Sequence, residues 1–339
     1  MNVSGRRRGY AFTLIELLVV VAIIALLISI LLPSLQRARD QAKAVKCGAN
    51  MHSVGLAVAT YVSEDGAKFP ASYQYLDGNG AISFDPGGGS GGYLHWSHAL
   101  WNGGQVGREA FECPSFQNRG NPRTNPGMDG ADWESNQVDQ NSQSSPNPRT
   151  DLQAPRMAYT ANAAIMPRNK WTSEMSGGPR LNRFVRETEL KGASDIILLT
   201  EFNRNWIAAA RAQGGNYLSK SHRPVNPFWH SASGYDEYGS DRQGFRYGRI
   251  GDDTYGLRPL DVIENAPGLI EGTQGSELNA VGRHHPGGDK LGGSADFLYS
   301  DGHVERKTVL QTMQQREWGE RYYGVTGDNK VVDRYGELP

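Results

Sequence analysis

The chain has 339 residues, with 35 basic and 36 acidic side chains and a formal charge of −1, which gives no reason to expect a nucleic-acid surface. Two cysteines are too few for a disulfide-rich scaffold, while 42 glycines, 15 tyrosines and seven tryptophans fit a loop-heavy, aromatic-rich β structure. Setting aside an N-terminal anchor and helix of roughly 65 residues, the remainder is long enough for one large domain with its own core.

The first element is apolar. From Phe12 to Leu32 the polar members are Thr13, Glu16 and Ser29, and at about 1.5 Å per residue such a helix nearly spans a bilayer core of about 30 Å. Arg6, Arg7 and Arg8 precede it. Their charge keeps the N-terminus cytoplasmic and sends the C-terminal bulk across, making this a single-pass inner membrane protein with an extracytoplasmic head. A secretory signal peptide is the competing account, but its cleavage site follows the apolar run, whereas Gly9 and Ala11 precede it here. A carboxylate at membrane depth costs several kcal/mol unless paired, so Glu16 has a job beyond solubility. The bland alternative is that it snorkels to the cytoplasmic interface.

Residues Arg6 to Pro33, RRRGYAFTLIELLVVVAIIALLISILLP, resemble the N-terminal signal of type IV prepilins and of the pseudopilins of type II secretion. That resemblance implies a leader at 1–11, cleavage by prepilin peptidase between Ala11 and Phe12, and N-methylation of Phe12. Glu16 becomes the fifth mature residue, placed to pair with the new ammonium of a neighbouring subunit. Ala11 departs from the usual glycine before the cut. Without the three leader arginines the balance is 32 basic to 36 acidic, a net charge of about −4.

The membrane segment covers 12–33, and Pro33, which has no N–H for the carbonyl of Ser29, is expected to kink the helix there. An amphipathic continuation follows over 34–65. Leu35, Ala38, Ala42, Val45, Ala49, Leu56 and Ala59 recur at three- and four-residue spacing, with His52 on the same stripe as a partly buried histidine. A second set, Cys47, Met51, Val54, Val58 and Val62, implies that a head wraps this half on more than one side.

The head is expected over 66–339. Lys68–Tyr75 reads as extended, followed by a glycine-rich loop over 77–92 in which Asp77, Asn79 and Asp85 are weak calcium candidates without full calcium-loop spacing. Trp96 and Trp101 read as core anchors, and His95 and His98 as a minor metal possibility. Cys47 and Cys113 are either a bridge, which an extracytoplasmic location permits, or two buried thiols; the bridge is preferred because it staples head to helix. Residues 114–156 are poor in aliphatics and read as a loop-rich surface insertion. Asp195–Phe202, DIILLTEF, reads as a buried strand, and 225–267 as irregular.

The segment over 283–306 spells a turn-rich lead, a strand at Ala295–Tyr299, an Asp301–Gly302 turn and a return strand from His303. It resembles the prepilin-associated H-X9-DG domain of large planctomycete-type pseudopilin-like proteins, together with CGANMHSVGLAVATYVSEDGAKFP, FECPS and YTANAAIM. Fifteen residues separate His285 from Asp301, which departs from that pattern. A hydrolase in which His284, His285, Asp289, Asp301 and His303 gather a metal and activate water is a minor idea, with His284 and His285 as weak metal candidates, because no nucleophile elbow, phosphate loop or zinc signature accompanies them.

The sequence thus implies an α+β fold, a long N-terminal transmembrane-to-head helix packed on an antiparallel sheet with large loops. Its expected role is that of a non-enzymatic, minor or tip-like subunit of a pseudopilus or pilus-like filament. The expected partners are prepilin peptidase, other pilin or pseudopilin subunits and the inner membrane, with no cofactor unless calcium. The alternative is a membrane-tethered head that binds a glycan or envelope partner without polymerising.

Overall fold

The computed structural model describes residues 13–82, 91–140, 150–168, 183–230, 245–247, 255–270, 276–324, 331–333 and 336–337. One helix, α1 (Leu14–Glu64), opens the chain and runs unbroken through Pro33. The chain divides between Ala42 and Lys43 into two compact units.

In the first unit, the large apolar side chains from Leu14 to Leu32 are exposed. Their few polar neighbours are satisfied locally: Ser29 Oγ donates to the carbonyl of Leu26 at 2.7 Å and Ser34 Oγ to that of Leu31 at 2.8 Å. A helix whose polar side chains bond back to its own backbone and whose apolar side chains lie outside suits a lipid environment.

In the second unit, α1 buries Ala44, Cys47, Met51, Val54, Gly55, Ala57, Val58 and Val62. The stripe through Val45, Ala49, His52, Leu56 and Ala59 is exposed instead. The packing is therefore one-sided, not wrapped, and His52 is not a partly buried histidine. Glycine explains the choice of face. A Cβ on Gly55 would meet Leu298 Cδ1 at 2.7 Å and one on Gly48 would meet Asp296 Oδ2 at 3.3 Å. The two glycines, seven residues apart on α1, form notches that admit alternate side chains of one strand.

After α1 come β1 (Tyr73–Tyr75) and β2 (Tyr93–His95), an antiparallel pair, then α2 (Trp96–Asn102). The central sheet contains β3 (Tyr159–Ala161), β4 (Ile197–Glu201), β5 (His285–Asp289), β6 (Gly292–Tyr299) and β7 (Val304–Lys307), ordered β5-β6-β4-β3, with β7 also on β6. All its pairings are antiparallel, including Phe297↔Thr200 and Leu298↔Leu199 between β6 and β4. β4 and the stretch of β6 from Ser294 to Tyr299 are buried at every position, so this sheet is covered on both faces. That is why DIILLTEF reads as a continuous apolar run and not as an alternation. The fold is α+β: a long N-terminal apolar helix and antiparallel sheets in the head.

Two stretches differ from the reading of composition. The lead before β6 is itself a strand, β5, whose Pro-Gly-Gly content read as turn. Among the described residues of 114–156 the regular elements are short, strands at Asn121–Pro122 and Gln137–Val138 and a 3-10 turn at Gly130–Asp132, yet Asn121, Thr124, Asn125, Gln137 and Asp151 are buried. Asp151 accepts from the Asn125 backbone N–H and side-chain amide, each at 2.8 Å, and from the Tyr93 N–H at 3.2 Å. Thr124 Oγ1 lies 2.6 Å from His222 Nδ1 and Gln137 Nε2 donates to the Arg123 carbonyl at 2.7 Å, so most of these interior polar residues are held by hydrogen bonds.

Candidate functional site

Helix, loop and sheet meet at a buried polar cluster. Cys47 of α1 and Cys113 form a disulfide, with Cα atoms 4.8 Å apart. Asn50 Nδ2 of α1 donates to the Glu112 carbonyl at 2.8 Å, and Tyr159 Oη lies 2.9 Å from the Cys47 carbonyl and 3.2 Å from that of Glu112, tying the Cys113 segment to α1. Beside the bridge, His285 Nε2 lies 2.9 Å from Glu201 Oε1 and 3.7 Å from Asp296 Oδ2. Its Nδ1 lies 3.4 Å from Ser115 Oγ. The Glu201 Oε2 accepts from the Asp296 backbone N–H at 2.9 Å, and Arg306 Nε donates to Asp296 Oδ1 at 2.8 Å. Burial, reinforced by the Glu201 charge, pushes the Asp296 carboxyl up to about 6. His284 is buried against Phe116, and burial holds its pKa well below the usual histidine range.

A cleft of about 790 Å³ adjoins this cluster through Ser115 and is lined by Phe116, Asn118, Arg204, Trp206 and Glu264 among others. Arg204 Nη2 pairs with Glu264 Oε1 at 2.6 Å and Asn118 Nδ2 donates to Glu134 Oε1 at 2.8 Å.

The other candidate residues lie apart from this cluster. Asp301 and His303 pair with each other at 2.6 Å just beyond the end of β6, half exposed, while His284 and His285 are buried at the start of β5. Asp289 Oδ1 is engaged by the Leu291 N–H at 2.7 Å. The five residues of the hydrolase idea thus do not gather. Asp77 Oδ1 accepts from the N–H groups of Asn79 and Ala81 at 2.8 and 2.9 Å, forming a local turn with exposed Asn79; Asp85 lies outside the described residues. His95 is buried as the N-cap of α2, accepting from the Ser97 N–H at 3.2 Å, and His98 sits edge-on to Trp101. Gly302 takes a left-handed conformation in the turn before β7.

At the start of α1, Thr13 and Glu16 cap the helix reciprocally. The Thr13 N–H and hydroxyl each donate to Glu16 Oε2 at 2.9 Å, and the Glu16 N–H donates to Thr13 Oγ1 at 3.2 Å. Thr-x-x-Glu at a helix start is a capping box, a signal readable in the sequence and a role for Glu16 beyond snorkelling or pairing. Residues 6–32 match the family model of the prokaryotic N-terminal methylation motif. The chain carries a prepilin-type methylation motif. No curated protein and no solved structure matches the chain.

The methylation motif marks the chain as a prepilin-type substrate of prepilin peptidase and implies pilin-type assembly. Within it, α1 is long and apolar enough to cross a membrane, consistent with membrane anchoring. Ala11 and Phe12 lie inside the motif but outside the described residues. Sequence reasoning missed Glu201, Ser115 and Asp296 as companions of the histidines. Glu201 and His285 are 84 positions apart and meet only through the sheet.

Proposed function

We propose that the chain is a non-enzymatic structural subunit, minor or tip-like, of a type II secretion pseudopilus or a type IV pilus-like filament. It is cut between Ala11 and Phe12, methylated on the new amine, and held with its N-terminus cytoplasmic and its head outside. The observation that carries this reading is the methylation motif over residues 6–32, continuous with a helix whose apolar side chains are exposed. Such a surface needs either lipid or other helices. The exposed three-and-four spacing continues past the motif through Val45, Ala49, Leu56 and Ala59, offering a seam to neighbouring subunits. The size of the head favours a minor position, since bulky decorations crowd a thin fibre.

Mass spectrometry of the mature N-terminus from sheared surface fractions and from membranes tests this. N-methyl-Phe12 in the sheared fraction, lost from it in Glu16→Ala, is the expected result; an intact leader confined to membranes would overturn it. Fibres made mainly of this chain would remove the minor-subunit assignment alone.

The cleft beside Ser115 favours a second reading, a tethered head that binds a polar ligand such as a glycan. Half-buried Trp206 beside amide and charged side chains is suited to sugar rings. Quenching of tryptophan fluorescence by oligosaccharides, absent in Trp206→Ala, is its expected signature.

A further inference from the structure

We propose that Cys47, Cys113, His285 and Glu201 form a zinc site when the disulfide is open. One donor atom from each lies within 4.8 Å of the others, and all four residues are buried. Tetrahedral zinc, with bonds of about 2.0–2.3 Å to nitrogen, oxygen and sulfur, requires donor atoms only about 3.3–3.8 Å apart. The separation is thus reached by side-chain motion once the sulfurs part. The donors come from α1, the loop at Cys113, the end of β4 and the start of β5, so the backbone already supplies the convergence.

The surroundings suit a cation. Two buried carboxylates, Glu201 and Asp296, lie by His285, and among the described residues the Arg306 guanidinium pairs with Asp296. Exchanging a disulfide for two thiolates and a divalent ion leaves the net charge of the buried site unchanged, so zinc adds no uncompensated charge. Outer contacts are also in place: Ser115 Oγ by His285 Nδ1 orients the ring, and the Asp296 N–H on Glu201 Oε2 leaves Oε1 toward the histidine. A separate observation points the same way. Among the described residues neither ring nitrogen of buried His284 has a hydrogen-bond partner, and its Nε2 lies 3.9 Å from Glu201 Oε2. An orphaned buried imidazole beside a carboxylate marks a place where a polar or cationic partner is missing.

The chemistry balances with a phosphine as reductant. A trialkylphosphine attacks one sulfur, breaks the S–S bond and is hydrolysed to its oxide, supplying two electrons while water supplies the oxygen and the two protons that yield Cys47 and Cys113 thiols. Zinc then displaces those two protons as the thiolates bind.

The test uses the full chain in detergent micelles, oxidised or phosphine-reduced, incubated with zinc and passed over a desalting column before elemental analysis. About one zinc per chain in the reduced protein, none in the oxidised protein, and at least tenfold weaker retention in His285→Gln and Cys113→Ser are expected. Cobalt in place of zinc should give the thiolate charge-transfer and tetrahedral d–d bands. If reduction unfolds the head, recovery of near-ultraviolet circular dichroism on adding zinc supports the site, and no recovery overturns it. Equal retention by oxidised and reduced protein, or no zinc in folded reduced protein, also overturns it.

Discussion

Glu16 caps α1 and, on the proposed reading, has a second, separable job in the same carboxylate. As an N3 capping residue it satisfies the Thr13 N–H, a contact worth on the order of 1 kcal/mol to a helix start. In the proposed filament it would also, as a charge at membrane depth, pair with the ammonium of a neighbouring Phe12. Glutamine preserves the first job and abolishes the second, because an amide oxygen still accepts from Thr13. If ammonium pairing drives incorporation, Glu16→Gln should be lost from sheared fibres as completely as Glu16→Ala. If capping is what matters, Glu16→Gln should be incorporated like wild type and Thr13→Ala should fail with Glu16→Ala. Quantifying the chain in sheared and membrane fractions of the four strains separates the two.

At the level of elements, the contact between α1 and β6 depends on glycine. Gly55→Ala places a methyl 2.7 Å from the fully buried Leu298 Cδ1, an overpacking that costs about 1–3 kcal/mol, against a helix-propensity gain of up to about 1 kcal/mol. The expected net loss is about 1 kcal/mol, larger than for Gly48→Ala, where the nearest atom is 3.3 Å away. Denaturant unfolding of the full chain in detergent reads it, and a stabilised Gly55→Ala would show that no close approach exists there. The same notches explain what the sequence made legible. α1 itself, the strand at Ile197–Glu201 and the turn at Asp301–Gly302 announce themselves through local periodicity and turn chemistry. Which stripe of α1 is buried does not, because that is decided by what the glycines admit from β6. β5 was hidden for a related reason: its Pro-Gly-Gly segment has no strand propensity of its own and is held by its pairing with β6, His285↔Ser294 and Asp289↔Gly292. The disulfide partners were legible from being the two cysteines in the chain, whereas Glu201 beside them was not.

Across the whole head, buried titratable groups set opposing responses to acid. Burial holds His222 and His284 well below the usual histidine pKa and takes His95 down to about 3. Burial likewise raises Asp151 and Asp296 to about 6. For the histidines, the unfolded chain takes up protons below about 6.5 that the folded chain refuses, so each removes stability as pH falls. For the aspartates the sign is opposite: the folded chain keeps protons that the unfolded chain has lost, so each penalty is complete above about 6 and is relieved as pH falls toward 4. On acidification the three histidines and the two aspartates therefore pull stability in opposite directions. With three histidines against two aspartates, acidification from about pH 6 lowers stability. Asp296→Asn removes one of the two compensating uptakes and should steepen that loss, while His222→Gln should make it shallower. Unfolding free energies of the three proteins between pH 4.5 and 6 check the argument. A slope unchanged in both variants would mean that neither group keeps its shifted proton affinity in the folded head.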